Sequence, residues 1–181
     1  MDEELYKEWL CQDEFNWLQF DQSDLVDVCY YCILTNPQKV NAARGTIGIK
    51  FSVTCNSGHA WSNLRTKSYT CNGTLNFNFY NDVKYKKYEL RPTMIITPLS
   101  NGNISIINQT TNQTVTINNC ITTEVITLDN DNGMVDTTGS RVLLDDWNKH
   151  FISFKTGLNS ISLSGNFTIR LEYRIPIRVG G

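Results

Sequence analysis

Histidine is almost missing: His59 and His150 are the only two in 181 residues. A Ser/His/Asp or Cys/His catalytic site would have to use one of them. His59 follows Ser57-Gly58, which is not a G-x-S-x-G elbow, and no nucleophile–base pair can be named. Neither G-x-x-x-x-G-K-S/T nor G-x-G-x-x-G occurs, so no phosphate loop is legible. The expectation is a protein that is not an enzyme and needs no cofactor or metal. Charge is also sparse, at 19% of residues with a net charge of −2, which argues against a nucleic-acid partner. Lys84, Lys86 and Lys87 alternate with Tyr85 and Tyr88 between Asp82 and Glu89, and read as a solvated or edge-protecting face. No run nears the roughly 18 consecutive apolar residues of a membrane helix. The opening MDEELYKEWL is acidic and has no apolar stretch of the signal-peptide kind. A small soluble protein of one domain, or two small ones, is expected.

Proline (4) and glycine (11) are few, yet turns are still expected, because the chain holds 20 Asn and 19 Thr. Both residues disfavour helix interiors; Asn serves turns, and β-branched Thr serves strands. The same bias creates N-x-S/T triplets at Asn72, Asn103, Asn108, Asn112 and Asn166. Random order would give roughly 3 such triplets, so they read as chance, not as glycosylation sites. Six cysteines are too few for a disulfide scaffold of this length. Cys29 and Cys32 form C-Y-Y-C, but in a β-rich run, where residues three apart point to opposite faces. Free structural thiols are the expectation.

Along the chain, residues 2–11 read as one short helix with Leu5, Trp9 and Leu10 on its apolar side. Trp17 to Phe20 and residues 28–36 read as strands, with Asn36-Pro37 ending the second. Lys39 to Gly45 reads as a turn. Thr46 to Cys55 has the clearest alternation, with Ile47, Ile49, Phe51, Val53 and Cys55 on one face. Residues 62–74 lose apolar character and suggest a linker or long turn around Asn63 to Lys67. Short strands are then expected over 74–80, 91–97, 103–108, 113–117, 122–128, 160–164 and 166–173. Turns fall at Asn101-Gly102, Asn118-Asn119, 131–133 and 164–166. Residues 143–151 read as a turn or short helix. The pattern predicts an all-β, mainly antiparallel chain containing a sandwich.

Two constellations invite chemistry. Asp129-Asn130-Asp131-Asn132-Gly133 resembles the start of a calcium loop, but Gly133 and Ser140 fall at the wrong positions, and a hairpin turn is expected. Arg141, Trp147, Asn148 and His150 could contact a sugar through Trp stacking, which motivates an alternative reading as a carbohydrate-binding sandwich module.

The order of segments resembles that of siphophage distal tail proteins. In that family an aromatic strand precedes an I-x-T-x-P strand, here Ile33-Leu34-Thr35-Asn36-Pro37. A glycine-bearing strand then closes the first domain, matched here by Gly45, Gly48, Cys55, Ser57, Ala60 and Trp61, with Gly58 where the family usually has Pro. The ending matches the family closure through Gly157, Asn159, Ile161, Gly165, Ile169, Tyr173 and Arg174. The resemblance implies the C-terminal portion of a belt (ring) domain over 1–65, with one short N-terminal helix, followed by a galectin-like β-sandwich over 66–181. The belt's first part would lie outside this chain, leaving Trp9, Leu10, Trp17, Leu18 and Phe20 as a ring or partner interface. The implied role is structural: a homo-oligomer, expected as a hexameric ring, at the virion tail tip. It would be made in the bacterial host cytoplasm and would link the tail tube protein to a tail-associated or receptor-binding protein of the baseplate. The His-Asn-x-Arg and Trp-x-x-Glu-x-Arg patterns that galectins use for galactosides are not found.

Overall fold

The computed structural model describes residues 13–43, 45–85 and 88–178. The expected helix over 2–11, with Trp9 and Leu10, lies outside them. Every strand pair among the described residues is antiparallel. The chain divides into two units: one runs up to Asn63 and resumes at Pro176, and the other spans Leu64–Ile175.

The first unit is one sheet. Its strands are β1 (Asn16–Gln19), β2 (Val28–Ala42), β3 (Gly45–Cys55), β4 (Ala60–Ser62) and β12 (Pro176–Ile177). β1 lies along one edge of β2; β3 and then β4 share the other edge. The chain end returns to pair Pro176 with Trp61 and Ile177 with Ala60. Past Ile33, β2 and β3 continue as a two-stranded ribbon. β2 does not end at Asn36-Pro37 as expected. Asn36 takes a positive φ of 59°, and the register slips between Thr35 and Gln38, so the proline sits in a bulge. Residues 39–42 likewise remain in β2 instead of turning.

The second unit is a β-sandwich of seven strands built on two long ones. β5 (Arg65–Asn81) pairs with β11 (Gly157–Tyr173) over their full length. The other edge of β11 is shared. Ile161–Ser164 pair with β7 (Gly102–Asn108), which continues to β8 (Gln113–Cys120). Phe167–Glu172 pair with β6 (Thr93–Pro98), then β9 (Ile126–Asp129) and β10 (Met134–Thr137). Between the two halves, Gly165 stands opposite Gly73, with φ of +122° and +89°. Glycine is needed there, because a Cβ at 165 would lie 2.7 Å from the Asn103 carbonyl oxygen.

Two expectations are corrected here. Ser164-Gly165-Asn166 is no turn, but a bend inside one strand. Around Asn63 to Lys67, expected as a linker or long turn, just Asn63 and Leu64 lie between strands; residues 65–74 form the first part of β5. Their polarity comes from position, since among the described residues β5 pairs only with β11 and forms an edge where Lys, Thr and Asn are tolerated. The core joins both halves through Phe79, Met94, Ile96, Ile106, Ile117, Ile126, Leu128, Ile161 and Phe167, all essentially inaccessible.

Asn130–Gly133 is the β9–β10 hairpin turn. The Asp129 carboxylate accepts the N–H groups of Asp131 and Asn132 and the Asn132 amide, so its oxygens are occupied within the turn. Residues 143–145 form a single 3-10 turn, followed by an irregular segment.

Candidate functional site

Alternating apolar and polar residues usually mean one buried face. β3 has the alternation without the burial: Ile47 is 69% exposed, Val53 43% and Phe51 37%. The ribbon has only two strands, so neither face is covered by a second layer of the described residues in its own unit. Such an exposed apolar row is characteristic of a surface that another chain covers.

The sheet's base carries a second apolar patch. Register places Trp17 opposite Tyr31 and Cys29 opposite Trp61. The Trp17 and Tyr31 rings lie 4.8 Å apart, and Trp61 meets Trp17 edge-on at 6.4 Å. Phe15 approaches Tyr31 at 5.8 Å, and Trp17 remains 47% exposed. Leu18 and Phe20 do not join this patch. Leu18 pairs with Tyr30 on the opposite face, where the Phe20 ring lies 6.0 Å from the Tyr30 ring. The structure therefore splits Trp17, Leu18 and Phe20 between two faces and adds Phe15, Tyr31 and Trp61 to the first. Sequence pattern alone missed the ribbon row as a surface, because alternation normally reports burial.

In the sandwich, Arg141, Trp147, Asn148 and His150 lie close in sequence but do different work. Glu124 is fully buried at the side chain. Arg141 grips both its oxygens, Nη2 to Oε1 at 2.9 Å and Nε to Oε2 at 3.0 Å. A second hand of Arg141 reaches Asp146 at 2.7 Å and the Asn118 carbonyl at 2.8 Å. Burial by itself would raise the Glu124 carboxyl. Hydrogen bonds from Arg141, the Ile121 N–H and the Thr137 hydroxyl, together with the Arg141 charge, outweigh it and hold the group below the usual glutamate range. Beside them burial pushes the Cys120 thiol up to about 11. Trp147 is a core residue, 8% exposed, whose indole N–H donates to the His150 carbonyl and whose ring meets Phe151. The Asn148 amide donates to the Thr114 carbonyl, and only His150 and Asn148 present themselves to solvent.

The sandwich's least regular segment is held by buried asparagines, a role the sequence did not reveal. Asn130 accepts the Ile152 N–H and donates to the Pro92 carbonyl. Asn108 donates to the Ser153 carbonyl, and Asn81 to that of Phe154. Asn159 accepts the Lys155 N–H and donates to the carbonyls of Lys155 and Gly157. Apart from an isolated bridge between Phe154 and Leu90, the backbone of this segment is met largely by side chains, as buried backbone requires. Asn108, with no exposed surface, cannot carry a glycan in the folded chain. Next to this segment a shallow recess of about 340 Å³ is lined by Arg91, Asp131, Asn132 and Phe151.

The described residues thus form two antiparallel units, one a sandwich and the other a sheet with an uncovered apolar ribbon. Comparison with known sequences gives the class. Residues 59–173 match the family described as phage tail C-terminal domain, and residues 3–57 match that described as phage tail protein N-terminal domain. The chain belongs to this family of phage tail proteins. No curated protein matches it in sequence. Among solved structures it is similar to the Dit protein of phage SPP1, described as a paradigm of hub adsorption apparatus in phages infecting Gram-positive bacteria. The TM-score is 0.64 at 12% identity, over 95% of this chain and 69% of that one, a likeness of fold.

Proposed function

We propose that this phage tail protein is a distal tail hub: a homo-oligomer, expected as a hexameric ring, that links the tail tube to the baseplate or receptor-binding apparatus at the tail tip. The observation that carries the reading is the uncovered apolar row of β3, Ile47, Phe51 and Val53, with the Trp17–Tyr31–Trp61 patch on the other face of the sheet. Burial of such surface is worth roughly 25 cal/mol per Å², so leaving it wet is unfavourable unless another chain covers it. Two halves that match phage tail families, and a fold shared with a hub protein, support this partner class. Trp9, Leu10, Trp17, Leu18 and Phe20 remain the interface residues proposed from sequence, joined now by the ribbon row. The two units are proposed to divide the work, the first forming the ring and the galectin-like sandwich docking other tail parts.

The test is light scattering of the full chain over a wide concentration range, with co-purification against the tail tube protein. Ring-sized oligomers or a stable complex are expected. A strict monomer that captures no tail protein would remove the reading.

A further inference from the structure

The ribbon holds a pair of thiols that nothing in the assembly reading uses. β2 and β3 set Cys32 directly opposite Cys55. Next to them, the Asn56 N–H donates to the Tyr31 carbonyl at 3.0 Å. Tyr31 and Asn56 are thus at a hydrogen-bonded position of the ladder, which makes Cys32 and Cys55 a non-hydrogen-bonded pair. In such pairs the Cα atoms stand about 4.5 Å apart with side chains on the same face. A disulfide spans Cα separations of roughly 4.4–6.8 Å, so the backbone already has the required spacing. Both thiols are free; Cys32 is buried and Cys55 is exposed. Cys32 responds to its neighbour: burial first, and then the charge of Cys55, raises its thiol. Cys29, the other half of C-Y-Y-C, points to the opposite face, where its thiol meets the Asn63 side-chain oxygen at 3.1 Å.

We propose that Cys32 and Cys55 are a redox site that closes into a cross-strand disulfide when the protein meets a low-molecular-weight disulfide oxidant. The exposed Cys55 loses its proton and attacks one sulfur of the oxidant, releasing one small thiolate and leaving a mixed disulfide on Cys55. Cys32 then loses its proton to solvent and attacks the Cys55 sulfur. The mixed disulfide breaks, a second small thiolate leaves, and the Cys32–Cys55 bond forms. Two protein thiols are oxidised and one oxidant disulfide is reduced to two thiols. The raised thiol of Cys32 slows the second step, which quickens with rising pH. The bond would pin β2 to β3 at the base of the ribbon, just before the Asn36-Pro37 bulge, and fix its register. The inference rests on the ladder geometry and not on the hub reading.

The test incubates the purified full chain with glutathione disulfide at mildly alkaline pH. Remaining thiols are blocked with N-ethylmaleimide in denaturant, and tryptic fragments are mapped by mass spectrometry. The expected product joins fragments 8–39 and 51–65, with two fewer alkylated thiols per chain. Its unfolding midpoint should rise by several degrees, an increase that dithiothreitol reverses. Fragment 8–39 also carries Cys11 and Cys29, so Cys11→Ser and Cys29→Ser must keep the crosslink while Cys32→Ser and Cys55→Ser lose it. Cys55 is exposed, so Cys55→Ser retains the fold and separates loss of the bond from loss of structure. Glutathione held on Cys55 with Cys32 still alkylatable would overturn the proposal. So would Cys55–Cys55 dimers in its place, or a crosslink that survives Cys55→Ser.

Discussion

At the scale of single residues, the firmest electrostatic commitment is the buried Glu124 carboxylate, which owes its charge to Arg141. Removing one partner of such a pair leaves an uncompensated charge, and Arg141→Met should cost about 3 kcal/mol, because Arg141 keeps some solvent access. The pH dependence has a defined sign. The folded carboxyl titrates below its unfolded value of about 4.3, so its stabilisation is complete above that pH and is lost as pH falls through the folded pKa. Without the guanidinium, burial raises the carboxyl instead. The deficit of Arg141→Met should therefore be largest at neutral pH and shrink on acidification. Urea unfolding at neutral pH and near pH 4 reads both; an equal deficit at the two would contradict the account. Trp147 supplies apolar packing at 8% exposure, so a glycan test of this cluster should alter exposed His150 instead.

At the scale of elements, the long strand β11 depends on a glycine bend and the irregular segment after it in space depends on asparagines. Gly165→Ala meets both a left-handed φ and the Asn103 carbonyl, and should destabilise by about 1–3 kcal/mol. Thermal unfolding measures it, with Ser164→Ala, one residue away, expected to be nearly neutral. Asn159→Ala strands the Lys155 N–H and carbonyl, which should cost about 1–3 kcal/mol. Amide exchange at Lys155 should quicken while β6 stays protected. β6, β7 and β8 were legible because their turns carry Asn and Gly between apolar runs; of the strand expected over 122–128 just the end was right, since Thr122 and Thr123 form a turn and β9 starts at Ile126. The Gly165 bend was not legible, because a Ser-Gly-Asn triplet reads the same whether the chain reverses or only bends. The outcome lies in β5, far away in sequence, which pairs with β11 on both sides of Gly165.

At the scale of the whole molecule, the question is what covers the β2–β3 ribbon. Phe51→Asp with Val53→Asp should lower the oligomeric state and leave the fold intact, since neither side chain belongs to a buried core. Light scattering reports the first and circular dichroism the second. Loss of fold with loss of assembly would assign the row to internal packing instead. The proposed interface was half legible: Trp17 and the alternation of β3 stand out in sequence, but exposure does not. The sugar-contact cluster was legible only as proximity in sequence. Its Arg141 and Trp147 proved to face Glu124 and the core, partners that no spacing rule links to them.

Sequence by itself determined the β class, the antiparallel habit, the strand periodicity and the tail-protein resemblance. These are local or ordered features, set by propensity and by the succession of segments along the chain. Tertiary structure alone decided which apolar rows stay wet, which glycine bends instead of turning, and which asparagines leave the turns for the core. It also placed Cys32 across from Cys55. Each of these depends on what a distant strand brings alongside, and burial and hydrogen-bond satisfaction are properties of that pairing, not of the residue.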